Sequence, residues 1–169
     1  NNNKDIFVNN CALGDETKKL EFYEYFNDVN SSFNRPVNNS LWEKKKKAKL
    51  NLNNLIKEVS KAQITTIDEY CKKKQINFIE LLKIDTQGFE NKVLMGAIES
   101  IQKKKIKFIQ IEFIMGNQYE NRLNIIDYEK YLIKNDYRLY GINQKGDLFK
   151  KSDISLDLLY VNSDIISVE

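Results

Sequence analysis

The stretch Phe78–Glu90, FIELLKIDTQGFE, decides the fold. Its first half is a nearly continuous apolar run, which is typical of a strand covered on both faces, as in parallel sheets. Gly88 permits a tight turn, and Glu90 stands at the start of the next helix, where the helix dipole favours an acid. We therefore predict a buried strand over Asn77–Asp85 that leads through a turn into a helix.

Regular elements alternate after this strand. Apolar residues recur at helical spacing over Gly88–Lys103 and again over Ile125–Asn135, which predicts two amphipathic helices. Between them, Ile106–Ile114 is apolar enough to form a second buried strand. A strand–helix–strand–helix order favours an α/β fold with helices on both faces of the sheet.

The chain closes with further strands. Strands are predicted at Tyr137–Asn143 and Leu156–Val161, with Leu148–Phe149 as a short extended piece after a turn. Together these elements predict a doubly wound α/β sheet that is mostly parallel and has an antiparallel last strand. Ligands of such sheets bind at the carboxyl ends of the strands.

The first part of the chain has weaker patterns. Ile6–Val8 is predicted to join the main sheet, and Leu20–Phe26 alternates apolar and polar residues like a half-buried strand. We interpret residues 27–62 as an irregular insertion that contains a short helix over Leu41–Asn54. Thr66, with an acid three residues later, is predicted to cap the next helix. One domain over residues 1–169 accounts for the whole chain.

Composition excludes several classes of site. The chain has 169 residues, 41% of them apolar, and a net charge of +3, which suits one folded domain. It contains no histidine, so catalytic triads and histidine metal ligands are excluded. Cys11 and Cys71 have no metal-site spacing, which favours a reducing cytoplasm. No apolar run approaches the roughly 20 residues of a membrane span.

Charged side chains near the ends of the two buried strands form the candidate site. Lys83 and Asp85 share one face of the first strand. Glu112 lies in the second strand and is expected near them, because neighbouring parallel strands end at the same edge. Buried ionisable groups of this kind are enriched at functional sites. The alternative is structural: Lys83 and Glu112 form a buried ion pair, and Asp85 or Glu90 caps a helix.

Five separate strings resemble one family, the FkbM-type methyltransferases. They are, in chain order, Asn10–Asp15 (NCALGD), Thr65–Tyr70 (TTIDEY), Phe78–Glu90, Val93–Ala97 (VLMGA) and Ile109–Glu112 (IQIE). The resemblance implies a Rossmann-like class I methyltransferase that uses S-adenosylmethionine to methylate a hydroxyl. Family acceptors include sugars, glycans and other secondary metabolites.

The resemblance also implies roles for particular residues. Asp85 is expected to be the base, with Glu112 and Lys83 orienting it and setting its pKa. The cofactor is expected to contact Asn10, Ala12, Leu13 and Asp85. Asp85 is thus expected both to act as the base and to contact the cofactor. No metal site is predicted, although the carboxylates could hold Mg²⁺.

The sequence departs from the family pattern in two ways. Gln87 stands where the family usually has Glu. The glycine-rich cofactor turn and the acid that holds the ribose are absent from residues 1–169, so the sheet is expected to lack its N-terminal strands. A preceding segment of the same polypeptide is therefore an expected partner, and residues 1–169 alone are expected to be inactive.

A non-catalytic function remains an alternative. Lysines cluster at residues 44–47, 72–74 and 103–105, and the first cluster lies beside Trp42. Such runs could bind an anionic polymer, although they are more often solvated surfaces. No recognised nucleic-acid motif accompanies them, so nucleic acid is not the expected partner.

Overall fold

The computed structural model describes residues 6–121, 123–146 and 154–165, which form two mixed β-sheets and five α-helices. The smaller sheet contains β1 (Ala12–Leu13), β2 (Lys18–Tyr25) and β3 (Ile56–Thr65) in the order β1-β3-β2. β1 runs parallel to β3, whereas β2 is antiparallel to it.

The larger sheet contains the strands of the second half of the chain. They are β4 (Ile79–Ile84), β5 (Ile106–Ile114), β6 (Tyr137–Lys145) and β7 (Ser155–Asn162), in the order β4-β5-β7-β6. β4 and β5 pair in parallel, and β7 is antiparallel to both of its neighbours. Strands β4, β5 and β6 therefore point the same way and β7 opposes them. The chain is an α/β protein with mixed sheets.

Ile6–Val8 does not form the predicted strand. These residues have no strand assignment, and the side chains of Phe7 and Val8 are 81% and 94% exposed. Apolar residues alone do not make a strand, because each strand also needs a neighbour for its backbone hydrogen bonds. No described strand pairs with this segment.

β4 has the predicted position in sequence but a different environment. It is an edge strand of the described sheet, with β5 on one side only. Leu82 and Ile84 are buried, whereas Leu81 is 52% exposed. The prediction of a strand covered on both faces was wrong, because the described residues cover only one face of β4.

The predicted helix over Gly88–Lys103 is divided in two, α3 (Glu90–Met95) and α4 (Ile98–Gln102). The break lies at Gly96, where an added Cβ would come within 1.9 Å of the carbonyl oxygen of Gly14. The Asp68 carboxylate then caps α4 by accepting from the backbone N–H groups of residues 99 and 100. Close packing between two glycines thus ends one helix, and a long-range cap begins the next.

Regular structure occupies much of the segment interpreted as an irregular insertion. It contains α1 (Leu41–Leu50) and the first half of β3, which pairs with β2 along its length. Thr66 caps α2 (Ile67–Lys74) by accepting from the N–H of Glu69, as predicted. Leu148–Phe149 lies outside the described residues.

The core lies between the larger sheet and its helices. α5 (Ile125–Lys134) buries Leu132 against this core, and Ile109 and Ile111 of β5 are fully buried. Each such side chain contributes about 1.5–3 kcal/mol on burial. A second cluster contains Tyr25, Trp42 and Tyr119. Of the helices described, none is long and apolar enough to cross a membrane.

Candidate active site

The turn after β4 carries the candidate site. Gln87 and Gly88 have φ angles of +54° and +94°, and Phe89 precedes the first residue of α3. An added Cβ at Gly88 would lie 2.8 Å from Cβ of Tyr119, so only glycine fits beneath this buried ring. Gln87 takes the left-handed conformation without being glycine, which costs free energy that the surrounding contacts must offset.

Loop residues that follow β2 hold this turn from the other side. The hydroxyl of Ser32, which is 1% exposed, donates to the carbonyl of Gln87 over 2.7 Å. The Asn34 amide donates to the carbonyl of Gly88 over 2.6 Å. Two successive carbonyls of the turn are thus bound by side chains of the small sheet's loop, which fixes the turn's orientation.

Asp85 lies at the end of β4 and has two partners on its own segment. The ammonium of Lys83 is 2.7 Å from Oδ2, and the amide of Gln87 donates to Oδ1 over 3.2 Å. The Asp85 side chain remains 34% exposed. It is therefore a held carboxylate that can still contact a ligand.

Glu112 reaches the same place from β5. Its Oε2 accepts from the Gln87 amide over 2.8 Å, and its Oε1 accepts from the Ser155 hydroxyl over 3.0 Å. Lys145 lies 3.8 Å from Oε1, and the Glu112 side chain is 11% exposed. Glu112 is thus close to Asp85, but its cation is Lys145, and the alternative of a buried Lys83–Glu112 pair is wrong.

The two carboxylates have opposite pKa shifts. Burial disfavours ionised Asp85, but hydrogen bonds, first that from Lys83, outweigh burial and hold the pKa of Asp85 below 3.8. Burial raises the pKa of Glu112 above 4.5, and its hydrogen bond with Asp85 raises it further. On acidification Glu112 therefore takes up a proton before Asp85, and the pair titrates as a unit.

Two cavities border this pair, and a third adjoins the second of them. The first cavity, about 340 Å³, is lined by Ala12, Leu13, Lys83 and Asp85 among others. The second, about 360 Å³, is lined by Asp85 together with Gln87 and Glu112. Asp85 lines both cavities. The third, about 590 Å³, shares the walls of residues 118 and 154 with the second.

The residues predicted to contact a cofactor are only partly together. Ala12, Leu13 and Asp85 line the first cavity, whereas Asn10 lines a different one beside Tyr70. Of the predicted set, three residues share one cavity.

Glu90 is separate from the carboxylate pair. It is 3% exposed, and its Oε1 accepts from the backbone N–H groups of Thr86 and Gly88. It holds the turn together from inside and does not face Asp85. Across residues 6–121, 123–146 and 154–165, no cluster of three histidine, cysteine or acidic side chains could hold a metal ion.

Some of the clustered lysines form ion pairs with acids of the described residues. Lys47 lies 2.8 Å from Glu43, Lys103 pairs with Glu99, and Lys104 lies 3.1 Å from Asp136. Trp42 is 8% exposed and packs on buried aromatic rings, so it offers no open face for stacking. The observed surface favours solvated helix faces over a polymer-binding patch.

Several site residues were missed by sequence reasoning. Gln87 was interpreted as the loss of an acid, yet its amide joins both carboxylates. Tyr119 places its hydroxyl 3.2 Å from Oε1 of Gln87, which fixes the direction of that amide. Ser155 and Lys145 contact Glu112 from β7 and β6. Only the positive-φ turn, marked by Gly88, gave a sequence signal for this network.

The carboxylates and cavities lie at the carboxyl end of parallel strands, which is where α/β domains bind their ligands. A model of the methyltransferase FkbM domain matches residues 1–139, and the chain belongs to this methyltransferase family. The chain is also similar to a protein named putative glycylpeptide N-tetradecanoyltransferase from Melanoplus sanguinipes entomopoxvirus, with 27% identity over 121 residues. That alignment covers 67% of the chain and 41% of the viral protein, so the chain spans less than half of its relative's length. No solved structure matches the chain.

Proposed function

We propose that the chain is part of an S-adenosylmethionine-dependent O-methyltransferase that methylates a hydroxyl of a sugar, a glycan or another secondary metabolite. One observation carries the proposal: Asp85 lines both the first and the second cavity. A carboxylate at this boundary can contact a methyl donor on one side and an acceptor hydroxyl on the other. Membership of the methyltransferase family supports the reaction class.

The first cavity suits part of the cofactor. Ala12, Leu13, Phe22 and Phe33 give it apolar walls for a flat base, and Asp85 adds a carboxylate. Its volume of about 340 Å³ lies at the lower end of the range for ligand sites. When bound there, S-adenosylmethionine would supply an electrophilic methyl group on a positively charged sulfur.

The chain's own residues would orient the acceptor and take its proton. The new bond from the acceptor oxygen to the methyl carbon would replace the carbon–sulfur bond, whose electron pair would remain on the neutral sulfur. The proton on that oxygen would then become strongly acidic, so even a carboxylate of low pKa could accept it. Asp85 would act as this base, a role worth roughly 10²–10⁴-fold in rate. Lys83 keeps Asp85 ionised, and Glu112 holds it in place through Gln87. Alignment of the oxygen can supply ~7–11 kcal/mol at most.

We further propose that the open edge of β4 pairs with a strand from a preceding segment of the same polypeptide. The support is that Leu81 of β4 is 52% exposed and Phe78, just before this strand, is 50% exposed, while β4 has one described neighbour. Open apolar edges of this kind are usually covered in native proteins. S-adenosylmethionine should then bind the longer polypeptide and show no measurable affinity for residues 1–169 alone.

The activity in the viral relative's name is not favoured here. A long acyl chain needs an extended apolar channel, whereas the second cavity is lined by Asp85, Glu112, Gln87 and other polar groups. Burying an acyl chain against such groups would leave them without hydrogen bonds. Methyl transfer to a polar acceptor fits these walls better.

A binding experiment tests the cofactor assignment in the longer polypeptide. Ala12→Phe should fill the first cavity and abolish binding of S-adenosylmethionine in a calorimetric titration, with an unchanged melting temperature. Ala48→Phe, on the exposed side of α1, is the matched control and should bind like the parent. Unchanged binding by Ala12→Phe would remove the first cavity from the cofactor site.

A further inference from the structure

The third cavity extends the site away from the carboxylates and has a different chemistry. Four amide side chains and one cation line it, and no carboxylate is among its described lining residues. These side chains are Asn38, Asn39, Lys45, Asn117 and Gln118, and the hydroxyl of Ser40 adds a further polar group. Amides donate and accept hydrogen bonds in equal measure, which suits a ligand with several hydroxyl groups.

Gln118 joins the second and third cavities and has no structural role that explains its side chain. The residue is 5% exposed and lines both cavities. Its amide nitrogen lies beside Gly116, another wall of the third cavity, 3.4 Å from where a Cβ would stand there. Within the described part of the chain its side chain has no hydrogen-bond partner, whereas its backbone carbonyl accepts from Val37. The side chain lines both cavities, where its amide can donate to and accept from a ligand.

Lys45 supplies the cation of the third cavity. It projects from α1, is exposed, and forms no ion pair with any described residue. The neighbouring Lys47, in contrast, is held by Glu43 at 2.8 Å. Lys45 is thus a cation at a cavity wall that is available to a ligand.

From this arrangement we infer that the acceptor carries a negatively charged group, a carboxylate or a phosphate, which binds Lys45 in the third cavity. Gln118 binds a hydroxyl of the same acceptor where the second and third cavities meet. The inference rests on the proposed function and names the class of its acceptor. An anionic group is repelled from Asp85 and Glu112 and attracted to Lys45. Charge therefore orients the acceptor, and the methylated hydroxyl is one remote from the anionic group.

Trp42 provides a binding signal that is independent of catalysis. It is the only tryptophan of the 169 residues and lines the third cavity. The protein, without S-adenosylmethionine, would be titrated with glucose 6-phosphate, glucuronate and neutral methyl glucoside while tryptophan emission is followed. We expect one or both anionic sugars to bind about fivefold more tightly than methyl glucoside, the size of one partly exposed charge pair. Comparison of glucose 6-phosphate with glucuronate distinguishes a phosphate from a carboxylate. Equal or absent binding of all three sugars would overturn the inference.

Two variants sharpen the test. Lys45→Ala should weaken the binding of the anionic sugars about fivefold, the size of one partly exposed charge pair, and leave the affinity for methyl glucoside unchanged. Lys49→Ala, on the same helix but outside the cavities, is the matched control and should leave all three affinities unchanged. Equal effects of the two substitutions on the anionic sugars would contradict the role of Lys45.

Gln118→Leu separates a binding role from a structural one. Leucine has a similar volume and needs no partner, so the melting temperature should hold or rise while affinity for both sugar classes falls about tenfold. A lower melting temperature with unchanged affinity would make Gln118 structural. Binding of anionic sugars without methyl transfer would overturn the proposed function alone, and methyl transfer without anionic preference would overturn this inference alone.

Discussion

Asp85 and Glu90 stand at the two ends of one turn and have opposite environments. Asp85 is partly exposed, borders two cavities and is held by side chains. Glu90 is buried and is held by the backbone N–H groups of the turn itself. The Asp85 end of the turn can therefore contact ligands, whereas the Glu90 end maintains the conformation of the turn.

The largest expected effect is on turnover at the open end. In the complete protein, Asp85→Asn should reduce methyl transfer by roughly 10²–10⁴-fold, the usual contribution of a general base. The melting temperature should change little, because Lys83 and Asp85 form an exposed pair of small energetic value. Turnover would be measured with labelled S-adenosylmethionine.

Lys49→Ala is the control for this experiment, since Lys49 is exposed on α1 and contacts neither cavity. The similarly basic Lys46 is unsuitable, because it lines the second cavity with the carboxylates. If Asp85→Asn kept turnover within a few-fold of the parent at an unchanged melting temperature, Asp85 would be structural, like Glu90.

A smaller effect, on stability, is expected at the buried end. Glu90→Ala leaves the N–H groups of Thr86 and Gly88 without their acceptor, at a cost of about 2 kcal/mol in unfolding free energy. Urea unfolding of parent and variant would measure this loss. Glu99→Ala, which removes an exposed helix acid, is the control and should leave the unfolding free energy almost unchanged. Equal stabilities of Glu90→Ala and parent would show that Glu90 does not hold the turn.

The residue between the two ends should give an intermediate effect on activity. Gln87→Glu replaces the amide that donates to Asp85 and Glu112 with a third carboxylate. The added charge should raise the pKa values of both acids and shift the acid limb of the rate–pH profile to higher pH. We expect about a tenfold loss of turnover near that limb and a smaller loss at neutral pH. An unshifted limb would mean that Gln87 does not set the ionisation of the pair.

Sequence patterns predicted the elements of the second half well and their surroundings less well. Ile106–Ile114 coincides with β5, because a dense apolar run leaves little choice of boundary. The same reasoning assigned two covered faces to β4, although Leu81 is exposed. An apolar run indicates that its residues tend to form a buried strand. It does not indicate whether a neighbouring element within the described residues covers each face.

The carboxylate pair was predictable, and its supporting network was not. Asp85 follows β4 and Glu112 lies near the end of the adjacent parallel strand β5, so sequence order and strand direction are enough to bring them together. Tyr119 and Ser155 contact the site from distant loops and strands, through a ring over Gly88 and an antiparallel register. Such contacts depend on tertiary packing, which spacing along the chain does not encode.

The smallest expected effect concerns the pH dependence of stability at the buried end. Burial raises the pKa of Glu90 above the ordinary 4.5, even though backbone N–H groups favour its charged form. Between 4.5 and the raised value the folded chain holds a proton that the unfolded chain has released, so stability falls as pH rises through this window and then levels. Glu90→Gln cannot ionise and should lack this decline, although it keeps an oxygen acceptor for the turn. Melting temperatures across this pH range would give the two slopes. Parallel curves of melting temperature against pH for the parent and Glu90→Gln would show that Glu90 ionises as easily in the folded chain as in water. The difference between Glu90 and Asp85 would then lie only in their contacts.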